Sequence, residues 1–327
     1  MKMVLIRTPQ VSPPQLLRPT ESYLSFKKEM YIDVWAEVVR QIGGEGEVWY
    51  LGAKENKTEE YDGLTLRMVQ DTIWLPSGGL DVIWFRSLNP LYELLRNRYS
   101  RAFKMYYGGG FGKVVHKPAL WDMVLVDTGE QYKTVKKKGP KVRVHLWAKP
   151  AARWFEQFDR SVDEKEFDVV LCASRGTENK GLDWAAKYLP RGTSVLRIGP
   201  PDEWFEQAHI KGHLQVEFTG YVQNYEVPGH MLRGKVGLAC DPGKYDSGPR
   251  IIPEYLSLGI PVLIRSGIHC NTKAYCQPTS AEVVTSDTLA DGLRRLSQIS
   301  IHKVLGFYNY KLSLSKVAER IVETIKG

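Results

Sequence analysis

Asp246-Ser-Gly-Pro-Arg-Ile-Ile-Pro-Glu254, running on into Tyr-Leu-Ser-Leu-Gly259-Ile-Pro-Val-Leu-Ile264, is the stretch whose reading decides the fold. Gly248 and Pro249 break the chain. Pro253 suits a first helical turn, Glu254 to Leu258 form a short helix, and Gly259 with Pro261 end it. Free backbone N–H groups are expected to point out of the turn before Glu254, where an anion gains hydrogen bonds and the favourable end of the helix dipole. Glu254 can accept two hydrogen bonds from a ribose diol, and Asp246 can do the same for a hexose hydroxyl. The plainer alternative is a strand-turn-helix corner with a capping acid.

A second stretch adds cations. Phe167-Asp-Val-Val-Leu-Cys-Ala-Ser-Arg175 is an apolar run of strand type, and a turn leads through Lys180-Gly181 into a helical segment from Leu182 to Leu189. Arg175 closes the strand and Lys180 opens the helix, so both charges can converge on one diphosphate. Alone they would read as surface charges beside a loop.

Taken together, residues 167 to 264 resemble the donor-binding domain of GT-B glycosyltransferases, in particular the large retaining family 4. The resemblance rests on Ala173-Ser-Arg175 with Lys180-Gly181, Val195-Leu-Arg-Ile-Gly199-Pro, Val216-Glu-Phe-Thr-Gly220-Tyr-Val, Val236-Gly-Leu-Ala-Cys-Asp-Pro242 and Asp246 to Pro261. It implies an α/β chain of GT-B type: two Rossmann-like domains with parallel sheets facing across a cleft. Arg175 and Lys180 would then bind a pyrophosphate and Glu254 the ribose. The backbone of Gly248, Pro249 and Arg250 would touch phosphate or sugar, and the loop carrying Tyr221 would border the base. The family has Glu at both ends of its Glu-x7-Glu motif, whereas Asp246 here is one methylene shorter. The family's Gly-rich loop after the first strand is replaced by Thr8-Pro-Gln-Val-Ser-Pro-Pro14. The implied substrate is a nucleoside-diphosphate sugar, UDP favoured over GDP, with no separate cofactor. The implied reaction retains anomeric configuration by same-face attack.

Length and composition agree with two domains: 327 residues, 43% of them apolar and 9 of them Trp, can fill two cores. Four cysteines without metal-like spacing read as free thiols of a reducing cytoplasm, a host's if the protein is viral. No apolar run approaches a membrane span and none reads as a signal peptide. Strands are expected at Val4 to Arg7, Val48 to Gly52, Leu66 to Val69, Asp81 to Arg86, Phe103 to Tyr107, Met123 to Asp127 and Val142 to Trp147. Helices are expected at Tyr23 to Gln41, near Asp287 to Leu296, and at Ser313 to Ile325. The expected division is an acceptor domain over 1–158, a nucleotide-sugar domain over 159–312 and a last helix over 313–327 that crosses back. The linker would be the polar Glu156 to Glu166.

The absence of an Asp-x-Asp triplet points to a metal-independent reaction in which fixed cations stabilise the departing diphosphate. On the acceptor side, His116, beyond the Gly108-Gly109-Gly110 turn, is the candidate catalytic residue beside Asp246; a structural His is the alternative. Residues 96 to 153 hold 14 Lys and Arg against 3 Asp and Glu. Tyr99, Phe103, Tyr106, Tyr107, Phe111, Trp121 and Tyr132 are interleaved among them. Unless this is a solvated face, the acceptor is anionic. Duplex DNA carrying a hydroxymethylated base is favoured over an acidic membrane lipid, with Lys136, Lys137 and Lys138 as a phosphate-contacting loop. The membrane alternative would use Phe26, Lys27, Lys28 and Trp35 as an anchor. No obligate protein partner is evident. A sugar-nucleotide epimerase and a catalytically silent nucleic-acid-binding protein are the readings from other classes.

Overall fold

The computed structural model describes residues 1–7, 30–51, 56–70, 75, 78–86, 91–107, 117–161, 165–173, 180–241, 249–268 and 270–327. The chain divides into two compact units, one of Met1–Trp147 with Leu314–Gly327 and one of Ala148–Ser313. The break at Trp147 lies before the linker expected at Glu156 to Glu166; within that stretch Glu156 ends a short helix of the second unit.

The first unit holds β1 (Lys2–Arg7), β2 (Glu45–Leu51), β3 (Lys57–Tyr61), β4 (Leu64–Val69), β5 (Val82–Arg86), β6 (Phe103–Tyr107), β7 (Met123–Val126) and β8 (Arg143–Leu146), in the order β3-β4-β2-β1-β5-β6-β7-β8. All pairings are parallel except β3 with β4. Runs such as Val-Ile-Trp-Phe and Met-Val-Leu-Val are buried throughout, as befits parallel strands covered on both faces. The antiparallel edge strand β3 departs from the expected all-parallel sheet. It turns at Asp62-Gly63, both with positive φ, the backbone a two-residue hairpin needs.

Helices α1 (Met30–Ile42), α2 (Leu91–Arg98) and α3 (Gly129–Lys138) cover this sheet. The part of the expected first helix before Met30 lies outside the described residues. Trp35, expected as a membrane anchor, is fully buried and donates its indole N–H to the Glu47 carbonyl at 3.1 Å. No helix among the described residues is long and apolar enough to cross a membrane.

The C-terminal helix, Leu314–Lys326, belongs to this unit. Leu314, Val317, Ala318, Ile321 and Val322 form its buried stripe, and it packs on α1. Its last carbonyls are capped by Arg143, whose Nη1 donates to Thr324 and Ile325 O at 2.9 and 3.0 Å. His145 meets the Thr324 hydroxyl at 3.2 Å.

The second unit contains β9 (Phe167–Cys172), β10 (Ser194–Ile198), β11 (Gln215–Phe218), β12 (Gly234–Ala239), β13 (Val262–Arg265) and β14 (Ala281–Val284), all parallel in the order β11-β10-β9-β12-β13-β14. Its helices are α4 (Arg153–Glu156), α5 (Leu182–Tyr188), α6 (Glu203–Ile210), α7 (Val227–Leu232), α8 (Ile251–Ser257), α9 (Thr272–Tyr275), α10 (Leu289–Leu296) and α11 (Ile301–Lys311). Helix α8 lies against β12 so closely that a Cβ on Gly237 would stand 2.5 Å from the Tyr255 ring.

Two outcomes test this packing. Gly237→Ala should cost about 1–3 kcal/mol through overpacking, read as a lower urea midpoint with an unchanged slope. Burial first, and then the Arg320 charge, depresses His145 to about 4 from an ordinary 6.5. The unfolded chain therefore binds the proton that the native chain refuses, so stability should fall as pH drops from about 6.5 to about 4. His145→Gln should flatten that slope.

Candidate functional site

From β9 the chain of the second unit moves outward through β10 to β11, then returns to β12 and proceeds the other way to β13 and β14. The connections leaving the carboxyl ends of β9 and β12 therefore diverge, and open α/β sheets bind ligands at such a reversal. The two stretches singled out in the sequence leave these two strands. Ala173 follows β9 and leads to Lys180-Gly181 and α5; Cys240-Asp241 follows β12 and leads to Pro249, Arg250 and α8, which carries Glu254.

Lys180 and Asp241 tie the two connections together, Nζ to Oδ2 at 3.0 Å, with the carboxylate nearly buried and the amine 40% exposed. Gly181 is fixed here by geometry. Its φ is +68°, and a Cβ would fall 2.0 Å from the Cys240 carbonyl.

Glu254 is half-buried in the first turn of α8. Burial raises its carboxyl pKa, and the Arg250 charge offsets part of that rise. At the end of β9, burial pushes the Cys172 thiol up to about 12, with the Glu254 charge as the next contribution. The next residue ties the helix to the strand. The Tyr255 hydroxyl donates to the Val170 carbonyl and accepts from the Cys172 N–H, each at 3.1 Å.

Beneath the same strand ends lies Arg197, fully buried. Its Nε meets Asp202 at 3.0 Å and its Nη1 donates to the Ala173 and Ile198 carbonyls at 2.9 and 2.6 Å, while Nη2 is buried with no hydrogen-bond partner among the described residues. Asp202 also caps α6 by accepting from the Phe205 N–H at 3.2 Å. Gly199, with φ +130°, brings the end of β10 so close that a Cβ would stand 2.1 Å from the Ala173 carbonyl. Sequence reasoning passed over Asp241, Arg197 and Tyr255 as site residues. A charge inside the apolar run Val195–Ile198, and an acid ending another, were the available signals.

Lys180, Pro249, Arg250 and Glu254 are thus brought to one edge of the sheet. Tyr221 is 83% exposed in the connection after β11. Arg175, Asp246 and Gly248 lie outside the described residues, as does His116. One expectation is corrected. The helix begins at Ile251, before Glu254, and Ile252 N–H turns back to the Pro249 carbonyl at 3.4 Å. Pro253 has no N–H, so this helix start has fewer free donors than the sequence suggested.

The first unit gathers a second polar cluster at the carboxyl ends of β5 to β8. The Tyr31 hydroxyl donates to that of Tyr107 at 3.2 Å. Asp127 accepts from Tyr107 at 2.9 Å and from the Trp147 indole at 3.0 Å, and Arg86 lies 3.8 Å over the Tyr31 ring. Burial and then the neighbouring Tyr31 and Asp127 hold the Tyr107 phenol well above its ordinary pKa.

Lys136, Lys137 and Lys138 are elsewhere. They form the last turn of α3, not a loop, because the Thr128/Gln131 capping box starts a helix whose carbonyl end attracts cations. Helix α3 leaves the carboxyl end of β7 and runs back to the start of β8. The three lysines therefore sit at the amino edge of the sheet, where Lys136 donates to the Val142 carbonyl at 3.0 Å. Of the interleaved aromatics, Tyr99, Tyr106, Tyr107 and Trp121 are buried in the core, so they offer no stacking surface; Tyr132 is exposed.

No family model and no curated protein matches this sequence. Among solved structures, AviGT4, a glycosyltransferase involved in avilamycin A biosynthesis, is 16% identical over 99% of this chain and 97% of its own, with a TM-score of 0.65. Sucrose-phosphate synthase from Thermosynechococcus elongatus is 11% identical over 100% and 98%, with a TM-score of 0.66. Anabaena Alr3699/HepE, solved in complex with UDP, is 12% identical over 100% of both chains, with a TM-score of 0.61. The chain has the GT-B fold.

The influence of the Glu254 charge on Cys172 has a chemical readout. In Glu254→Gln the lost negative charge should lower the Cys172 pKa and raise its iodoacetamide labelling rate at pH 8 severalfold. Cys240, also about 12 through burial, should remain as protected as in the parent, with labelling mapped by mass spectrometry.

Proposed function

We propose that the chain is a retaining glycosyltransferase that takes a nucleoside-diphosphate sugar, UDP in preference to GDP, on its second unit. The observation that carries this reading is the origin of the two sequence stretches from β9 and β12, the strands that flank the reversal of the sheet, with Lys180 and Asp241 joined at 3.0 Å.

In this reading Glu254 accepts from the ribose diol, and Asp246 from a hydroxyl of the sugar. Arg175 and Lys180 receive the diphosphate, assisted by the backbone of Gly248, Pro249 and Arg250, and Tyr221 borders the base. Asp241 holds the Lys180 amine in place before the donor arrives, so its charge needs no reorganisation as the reaction proceeds. The bond from the anomeric carbon to the diphosphate oxygen breaks, and its electron pair stays with the diphosphate. The acceptor hydroxyl attacks from the same face and passes its proton to the departing phosphate. Fixed cations meet the developing negative charge, each worth about 3 kcal/mol of barrier by analogy with a single oxyanion donor. No metal is required in this scheme.

The acceptor is proposed to be anionic and bound by the first unit, with a hydroxymethylated base in duplex DNA as the substrate. The support is charge: 14 basic against 3 acidic residues over 96 to 153, with Lys137 and Lys138 exposed on the last turn of α3. His116 is the proposed acceptor-side catalytic residue. The four cysteines are free, which suits a reducing cytoplasm.

A donor panel tests the first claim. A UDP-sugar at a hundred times its dissociation constant should add about 2.7 kcal/mol of stability, and Glu254→Ala should abolish turnover. If no nucleotide sugar raises the melting temperature and none is hydrolysed, the donor reading fails. For the acceptor, hydroxymethylated DNA incubated with the donors should yield glycosylated nucleosides by mass spectrometry. Flotation with acidic liposomes and no DNA modification would move the acceptor to a lipid.

A further inference from the structure

Beside the carboxyl edge of its sheet the second unit carries a groove lined by none of the residues of the donor reading, although its Arg265 reaches the Cys240 carbonyl at 3.4 Å. It has a volume of about 420 Å³ and is lined by Asp183, Trp184, Lys187 and Tyr188 of α5, Trp204 of α6 and Arg265 at the end of β13. This is within the size range of small-molecule sites.

Helical spacing builds it. Trp184 and Tyr188 are four residues apart on one face of α5, with ring centroids 5.9 Å apart, and Asp183 and Lys187 are paired in the same way on the adjoining stripe. The cations already hold the rings: Lys187 Nζ lies 4.9 Å from the Tyr188 centroid and Arg265 Cζ 5.0 Å from that of Trp184. Tyr188 and Trp204 nevertheless remain 39% and 37% exposed, so two large aromatic surfaces border open solvent at one place.

The lining selects its ligand. A simple anion gains from Lys187 and Arg265 but meets the Asp183 carboxylate, and a simple cation meets the reverse. A neutral polyhydroxylated ring suffers neither repulsion. Its hydroxyls donate to Asp183 and accept from Lys187 and Arg265, while its C–H face lies on an aromatic ring. We propose that this groove is a binding site for a neutral saccharide, separate from the donor-binding crevice. The inference stands without the donor reading.

Trp184 and Trp204 both line the groove, so intrinsic fluorescence reports its occupancy. Titration with maltotriose and chitotriose should change Trp emission saturably. Trp204→Ala and Tyr188→Ala, both at exposed positions, should each weaken binding about tenfold or more. Saturating UDP should leave the titration unchanged, and Glu254→Ala should bind the trisaccharide as the parent does. This separates the groove from any failure of the donor reading. Absence of a response to both sugars at tens of millimolar would overturn the proposal, as would affinity equal to the parent in both aromatic variants or displacement by UDP. A response to UDP that Trp204→Ala abolishes would instead assign the groove to a nucleotide.

Discussion

One side chain holds the second unit's crevice in register. Tyr255 is fully buried, its hydroxyl bridges the Val170 carbonyl and the Cys172 N–H on β9, and its ring occupies the space left by the missing side chain of Gly237 on β12. A helix joined to both strands at the reversal of the sheet cannot slide along either. Glu254, the preceding residue, is thereby held at a fixed height on the helix, in its first turn. Were the hydroxyl absent, the Cys172 N–H and the Val170 carbonyl would each lose a hydrogen bond, so the arrangement is favoured by polar satisfaction as well as by shape.

The floor of the crevice obeys the same logic with charge. Arg197 enters a fully buried position because Asp202 and two backbone carbonyls receive three of its hydrogen bonds. Removing one partner of such a group leaves an uncompensated charge inside the protein, which is far more costly than replacing the whole set by apolar residues. Gly199 and Gly181 bring the neighbouring backbones within reach of this edge, since any side chain at either position would collide with a carbonyl. The polar edge of the second sheet is thus a set of mutually dependent close approaches.

Much of this was legible in the sequence, for a physical reason. Parallel strands covered on both faces read as unbroken apolar runs, so Phe103–Tyr107 was placed to the residue and most of the other strands to within a few residues. Strand β3, Lys-Thr-Glu-Glu-Tyr, was missed because an edge strand facing water carries no such run, although Asp62-Gly63 after it is a hairpin signal. Helix α11 was missed although Val304, Phe307 and Tyr308 carry helical spacing and are buried. Lys180 and Glu254 could be singled out because Gly and Pro mark the turns beside them. Asp241 and Arg197 gave a weaker signal, a charge ending or interrupting an apolar run, and Tyr255 gave none, because its partners lie on β9. In the mixed window from 96 to 153 the sequence does not separate core from surface: Tyr106 and Trp121 stack on each other in the core at 4.8 Å, whereas Lys137 and Lys138 are exposed.

The C-terminal helix has a consequence for the birth of the molecule. Its apolar stripe completes the first unit, yet it is encoded after the whole of the second. During synthesis the first 147 residues therefore emerge with the surface of α1 that this helix covers still bare. The contiguous stretch from Ala148 to Ser313 can assemble ahead of them, reversing the usual order in which domains mature from the N-terminus. A nascent chain of this design carries an unfinished hydrophobic seam until the helix Leu314–Lys326 has been made.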